Sequence, residues 1–148
     1  MNECLEVDLR GRTAVVTGGS RGIGRAVVAA LLARGMTVLA TGRDPAGLER
    51  LRADFPGAPL HTAICDQRDP AAVAALFDTA RALFPALYLL VNNAALGLYG
   101  PAAEITRETW DAVLETDARG PFLIAQEAFR WQRQTGGGRI VNLGSVVA

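Results

Sequence analysis

The chain alternates short, continuous apolar runs with longer stretches in which apolar residues recur at helical spacing. Continuous apolar runs predict buried strands, and the helical spacing predicts amphipathic helices. The predicted strands are residues 13–17, 37–41, 60–65, 87–91 and 139–143. The predicted helices are residues 22–34, 45–54, 71–84 and 106–134, the second and third announced by Asp44-Pro45 and Asp69-Pro70, and the last expected to be kinked at Pro121.

Strands that alternate with helices and are apolar throughout are typical of βαβ units, in which helices cover both faces of a parallel sheet. Right-handed crossovers then give a doubly wound α/β layer of the Rossmann type. A chain of 148 residues is long enough for one such domain, so residues 1–148 are expected to form a single unit. Folds of this kind bind their ligands at the carboxyl ends of the strands.

Composition and charge exclude several classes of function. Fifteen basic residues balance fifteen acidic ones, which gives no footprint for nucleic acid or an anionic membrane surface. No apolar run approaches the roughly 18 residues needed to cross a bilayer, and the polar, acidic N-terminus does not fit a signal peptide. The two cysteines favour a reducing cytoplasm over a disulfide framework.

Two residue types are scarce enough to restrict the chemistry. Every basic residue is an arginine, so these 148 residues hold neither a Walker-type phosphate lysine nor a Schiff-base lysine. There is one histidine, His61, and the two cysteines lie far apart in the sequence, so no zinc-ligand spacing exists and no metal is expected.

The first predicted strand runs directly into the sequence T-G-G-S-R-G-I-G, residues 17–24, and then into a helix. Glycines at such a junction allow a tight turn and let the backbone approach a pyrophosphate, while the helix N-terminus supplies free N–H groups. A purely structural turn is the alternative, but a strand before and a helix after fit phosphate binding. The cofactor-binding candidates here are Gly18, Ser20, Arg21, Gly22, Ile23 and Gly24.

Four motifs in the same order make the sequence resemble the short-chain dehydrogenase/reductase family, and most of all its 3-oxoacyl-(carrier protein) reductase-like members. They are T-G-x-x-x-G-x-G at residues 17–24, Cys65-Asp66, N-N-A-A at residues 92–95 and R-I-V-N-L-G-S at residues 139–145. The resemblance covers essentially the whole chain and implies the strand order 3-2-1-4-5. It also implies that Asp66 meets the adenine amino group, and that Gln67, Asn93 and Ala94 help to bind an NAD(P) cofactor.

The end of the second strand decides between NADP and NAD, since it faces the adenosine ribose. A carboxylate there binds both ribose hydroxyls and repels a 2′-phosphate, whereas an arginine attracts the phosphate. Here the strand ends in Gly42 and Arg43, where family members that use NAD tend to carry aspartate, and Arg21 offers a second positive charge. Asp44 is as readily a helix cap, and both arginines have the alternative of being solvated surface groups. NADP is therefore expected before NAD.

The resemblance also assigns catalytic positions. Ser145 matches the serine that positions the substrate carbonyl, although an ordinary serine after a strand is the alternative. Asp117 stands where the family has an asparagine that organises a proton-relay water; it keeps an acceptor, and it has the alternatives of pairing with Arg119 or capping the helix kink. The family's Tyr-x-x-x-Lys, which lies beyond the serine, is not found in these residues, so the domain is expected to be incomplete at its C-terminus, truncated after the fifth strand.

The expected activity is hydride transfer between a nicotinamide and an alcohol or ketone of unidentified structure, with homo-oligomers implied for full-length relatives. A non-catalytic nucleotide-binding or interaction module and the product of a disrupted gene remain as alternatives.

Overall fold

A computed structural model describes residues 7–145 of the chain. Five parallel strands form one sheet in the order β3-β2-β1-β4-β5, which confirms the expected topology. They are β1 (Thr13–Thr17), β2 (Thr37–Gly42), β3 (Leu60–Ile64), β4 (Leu89–Asn92) and β5 (Arg139–Asn142). The reversal of strand order lies between β1 and β4, where the crossovers leave the sheet in opposite directions, and a ligand cleft opens at this point in doubly wound folds.

Helices cover both faces of the sheet. They are α1 (Gly22–Ala33), α2 (Pro45–Asp54), α3 (Pro70–Leu83), α4 (Arg107–Leu114) and α5 (Gly120–Gln134). The Asp-Pro pairs start α2 and α3 as predicted, because the carboxylates of Asp44 and Asp69 accept the N–H groups of Ala46 and Ala71 at 3.1 and 2.9 Å.

Alternating side chains of each strand feed two separate cores. Val15, Leu39 and Leu90 point to one face, where they pack with side chains of α3 and α5 such as Phe77 and Ile124. Their neighbours along the strands point to the other face, where they pack with α1 and α2; these include Ala14, Val16, Val38, Ala40 and Val91. Because β1 and β2 are buried on both faces, their carboxyl ends are held rigidly below the cleft.

The structure corrects the predicted long helix over residues 106–134. The chain instead forms α4, then a π-helical turn over Glu115–Arg119 (the π segment), and then α5. The interruption precedes Pro121, which lies in the first turn of α5 where proline needs no N–H partner. Proline therefore fits the start of a new helix instead of kinking the middle of an old one.

The last two predicted strands along the chain also differ in detail. The fourth strand begins at Leu89 and not at residue 87, because pairing with β1 starts at Ala14 opposite Leu89, although Leu87 is fully buried. At the edge of the sheet, β5 ends at Asn142 and not at residue 143. Val141 within it and Leu143 just after it are exposed, at 46% and 39% accessibility. No helix in the described part of the chain is both long enough and apolar enough to span a membrane.

Candidate functional site

A cleft of about 420 Å³ opens at the carboxyl ends of the strands, within the range of small-molecule sites. It brings together every residue predicted to bind the cofactor: Gly18, Ser20, Arg21, Gly22, Ile23, Gly24, Arg43, Asp66, Gln67, Asn93 and Ala94. Its wall also includes residues that the sequence did not assign to it, among them Thr41, Cys65 and Thr116. The first of these ends a predicted strand, but nothing in the local sequence marks Thr116.

The glycine loop is packed so tightly that two of its glycines leave no room for a side chain. Gly18 has φ +65°, and a Cβ there would lie 2.9 Å from the Ala94 Cα. A Cβ on Gly24 would fall on the carbonyl oxygen of Gly18 and 2.5 Å from Asn93 Nδ2. These glycines therefore let α1 and the loop after β4 close upon the end of β1.

The N-terminus of α1 points its first turn at the cleft. No side chain caps this helix, and its first turn carries no acidic residue. Gly22 (φ +54°) has open space where a Cβ would stand, and the side chain of Ile23 is 65% exposed. The first N–H groups of a helix and its positive end favour an anion, so the residues present fit a phosphate group at this place.

The end of β2 presents a positive charge to the same cleft. Arg43 follows the strand and is exposed. The carboxylate of Asp44 caps α2 and also lies 3.4 Å from the guanidinium of Arg50, in agreement with the reading of Asp44 as a helix cap. Because Arg50 offsets the charge of Asp44, the mouth of the cleft is more positive than Arg43 and Asp44 alone would make it.

Asp66, at the end of β3, is held by a neighbouring arginine. Arg68 Nε and Nη2 donate to Asp66 Oδ1 and Oδ2 at 3.0 and 2.6 Å, and the Arg68 N–H also donates to Oδ1 at 3.0 Å. These hydrogen bonds lower the pKa of Asp66 below its ordinary value of 3.8. A ligand amino group that approaches this carboxylate meets acceptors that Arg68 already occupies in part.

Cys65, directly before Asp66, is a free and buried thiol. Burial, with the charges of Asp66 and Asp69, raises its pKa to about 11. Since the thiolate is the reactive form of cysteine, Cys65 stays protonated at neutral pH and is a wall of the cleft rather than a nucleophile.

The loop after β4 is fastened to the end of β1 by side-chain hydrogen bonds. Thr17 Oγ1 accepts the N–H groups of Asn93 and Ala94, both at 3.0 Å, and Thr17 is 1% exposed. Asn93 Nδ2 donates to the carbonyls of Thr17 and Gly18 at 2.9 and 3.2 Å. Asn93 thus lines the cleft, but its amide nitrogen is hydrogen-bonded to the backbone. Sequence reasoning missed Thr17, although it is the first residue of the glycine motif.

Gln67 and Asp117 connect the same loop to the π segment. Gln67 Nε2 donates to the carbonyls of Ala94 and Thr116 at 3.1 and 2.6 Å. Asp117 Oδ1 accepts the N–H of Leu96 at 2.8 Å. Neither alternative raised for Asp117 is right, because its carboxylate binds this loop.

The pairing with Arg119 that was raised as an alternative for Asp117 does not form, because the side chain of Arg119 is bound elsewhere. The side chain of Arg119 turns to Glu115 Oε1, one helical turn back, at 3.3 Å. It also donates to the carbonyl of Arg68 at 3.2 Å.

Ser145 lies at the same edge of the sheet but outside the cleft wall. It follows β5, whose last residue Asn142 pairs with Asn92 at the end of β4, and it is exposed. Within residues 7–145, neither Ser145 nor the exposed Asp117 is among the residues that line the cleft. The same described residues contain no group of three or more His, Cys, Asp or Glu side chains arranged to hold a metal ion.

The sheet order and the cleft at the carboxyl ends of its strands define a doubly wound α/β protein of the Rossmann type. Comparison with known proteins makes this specific: the family model of short chain dehydrogenases matches residues 12–148, and the chain belongs to that family. It is 36% identical over 147 residues to a short chain dehydrogenase/reductase of Macrophomina phaseolina, covering 95% of this chain and 84% of that one.

Two other relatives show how far the likeness extends. The 3-oxoacyl-(acyl-carrier-protein) reductase of Escherichia coli K12 is 33% identical over 141 residues, 95% of this chain and 57% of the enzyme. A metagenomic short-chain oxidoreductase, solved in complex with NADP, superposes with a TM-score of 0.88 at 31% identity, covering 95% of this chain and 65% of the other. The chain thus spans little more than half the length of several curated relatives that it matches.

Proposed function

We propose that the chain binds NADP(H) in the cleft and forms the cofactor-binding part of a short-chain oxidoreductase that acts on an alcohol or ketone. The observation that carries this proposal is the convergence of the glycine loop, the uncapped N-terminus of α1 and Arg43 on one cleft. The NADP complex of the metagenomic relative supports the same class of ligand.

Each part of the cleft has a role in this proposal. The loop between Gly18 and Gly24, with the first turn of α1, holds the pyrophosphate through backbone N–H groups. Arg43 and Arg21 attract a 2′-phosphate, while Asp66 and Gln67 border the adenine. Asn93 and Ala94 form the wall between the two halves of the ligand.

The chemistry of the bound cofactor is hydride transfer at the nicotinamide C4. Ser145 is the candidate to hold the substrate carbonyl by a hydrogen bond. Asp117 is placed to fix the loop after β4 through Leu96. Neither side chain lines the cleft, so neither is placed as the general acid, a group that contributes about 10²–10⁴-fold to such reactions. A chain of these 148 residues should therefore bind the cofactor far better than it turns it over.

Calorimetric titration of the folded chain with NADPH and with NADH tests the proposal. We expect tighter binding of NADPH, and Arg43→Asp should invert the preference, because the carboxylate repels the 2′-phosphate and accepts the ribose hydroxyls. Arg52→Asp is the control, since Arg52 is an exposed arginine of α2 that does not line the cleft. Equal affinities for the two cofactors, or tighter NADH, would refute the NADP assignment.

Turnover is measured in the same samples by absorbance at the nicotinamide band with a panel of ketones. The full-length Escherichia coli relative serves as the positive control. We expect the 148-residue chain to be slower by at least about 10²-fold. A rate within tenfold of the control would mean that a residue of this chain acts as the missing acid.

Two further parts of the proposal are the oligomeric state and the location in the cell. Homo-oligomers in longer chains are supported by exposed aromatic side chains on α4 and α5, namely Trp110, Phe122 and Phe129 at 57, 61 and 55% accessibility. Sedimentation velocity of such a chain measures this. A cytoplasmic location is supported by the free thiol of Cys65, and fractionation of cells that express the protein tests it.

A further inference from the structure

The π segment has a backbone carbonyl that its own helix cannot satisfy. Gly120 N–H donates to the carbonyl of Glu115, five residues back, which is the π pattern. Continued by one residue, this pattern would pair the Thr116 carbonyl with the N–H of residue 121, which is proline and has none. Thr116 is only 5% exposed, and buried carbonyls without a donor are rare and costly.

Gln67 supplies the missing donor from another part of the fold. Its Nε2 lies 2.6 Å from the Thr116 carbonyl and 3.1 Å from that of Ala94, and its side chain is 6% exposed. A primary amide has two hydrogens, so both bonds can form at once. Gly120 makes the approach possible, because a Cβ there would lie 2.6 Å from Gln67 Cγ.

The orientation of the amide follows from its neighbours. If the nitrogen and oxygen of Gln67 exchanged places, Oε1 would face two carbonyl oxygens and repel both. Simple space filling therefore does not account for glutamine at this position, since an apolar side chain of similar length would fill the same volume without the two bonds. The two carbonyls at this place are matched by a side chain that can donate twice.

We propose that Gln67 is a positioning residue that replaces the N–H absent from Pro121 and thereby fixes the π segment against the loop after β4. Through Ala94 it sets the position of the cleft wall, and through Thr116 it sets the position of Asp117, whose carboxylate holds Leu96 in the same loop. Its effect on the ligand rests on the proposed function; its effect on the backbone does not.

A double-mutant cycle between Gln67 and Pro121 tests the backbone part in the 148-residue chain. Gln67→Met keeps the length of the side chain and removes both donors, and it should lower the folding equilibrium constant about tenfold. Pro121→Ala restores an N–H beside the Thr116 carbonyl. In that background Gln67→Met should cost less than about threefold, because one of its two carbonyls has another donor. Gln126→Met, a half-buried glutamine of α5, controls for the substitution itself.

Urea unfolding of the four chains gives the answer. An equal loss from Gln67→Met in both backgrounds would overturn the proposal, since it would show that Gln67 does not serve the carbonyl left by Pro121. Where Gln67→Met alone does not fold, recovery of folding by the added Pro121→Ala supports the proposal.

Where neither variant folds, the unmutated chain decides: the Gln67 side-chain protons should exchange with solvent far more slowly than those of Gln126. Equal exchange rates of these two amides would refute the proposal.

NADPH titration of the folded variants tests the positioning part. Gln67→Met should weaken binding about fivefold, Pro121→Ala should restore part of the loss, and Gln126→Met should have no effect. A merely structural glutamine would change stability and leave the affinity of the folded molecules unchanged, and that result would overturn the positioning role. If the unmutated chain does not bind NADPH, the proposed function and the positioning role fail, while the unfolding cycle still decides the backbone role.

Discussion

The two walls of the cleft are built by different physical means. The wall from β1 and α1 is positioned by contact between backbones, since a Cβ at Gly24 has no space between Gly18 and Asn93. The wall from β4 and the π segment is positioned by polar side chains. Thr17 and Gln67 there form hydrogen bonds with backbone N–H and carbonyl groups that have no partner in a helix or strand. Steric positioning tolerates almost no substitution, whereas a hydrogen-bonded clamp loses one bond at a time.

The largest expected effect is therefore at Gly24. Gly24→Ala places a Cβ on the carbonyl oxygen of Gly18, a backbone atom that cannot turn aside, so we expect a loss of about 3 kcal/mol in the free energy of unfolding. Gly22→Ala is the matched control, because its Cβ meets open space and only the φ of +54° is strained, at about 1 kcal/mol.

Urea unfolding measures both variants, and NADPH titration follows in whichever of them folds. If the two alanines cost the same, close packing is not what holds this wall in place.

An intermediate effect is expected at Thr17, on the hydrogen-bonded wall. Thr17→Val keeps the shape of the side chain but leaves the N–H groups of Asn93 and Ala94 without their acceptor, at a cost of about 2 kcal/mol. Thr79→Val is the control, since Thr79 Oγ1 only donates to the Ala75 carbonyl on an exposed helix face, and it should change stability by less than about 0.5 kcal/mol. Thermal or urea unfolding distinguishes the two, and similar losses would contradict the clamp.

The same difference explains what could be read from the sequence. The bounds of β1 and the start of α2 were predicted correctly, and α3 begins at Pro70, one residue before its predicted start, because apolar runs and Asp-Pro pairs are local signals. The glycine motif is also a local signal, because the close contact between Gly18 and Gly24 lies within residues 17–24. The break before Pro121 depends on Gln67, about fifty positions away, and no local pattern predicts a donor that comes from the loop after β3. The contact of Asp117 was not predicted for the same reason, since its partner is the N–H of Leu96, 21 residues earlier.

The smallest expected effect concerns Asp66, whose carboxylate lines the cleft and is paired with Arg68. The hydrogen bonds from Arg68 lower the pKa of Asp66 in the folded chain, so the folded state favours the charged form. This contribution is fully present above the unfolded pKa of about 3.9 and is lost as the pH falls through the lower folded value. Asp66→Asn should therefore flatten the fall in unfolding free energy below about pH 4, while at pH 7 it should cost less than about 1 kcal/mol, as expected for a partly exposed pair.

Asp78→Asn, on the exposed face of α3, is the control and should keep the slope of the unmutated chain. Urea unfolding of all three chains is measured from roughly pH 2.5 to 7, because this range brackets both protonation states of the carboxylate. An unchanged slope in Asp66→Asn would show that Arg68 does not favour the charged form of this carboxylate in the folded chain.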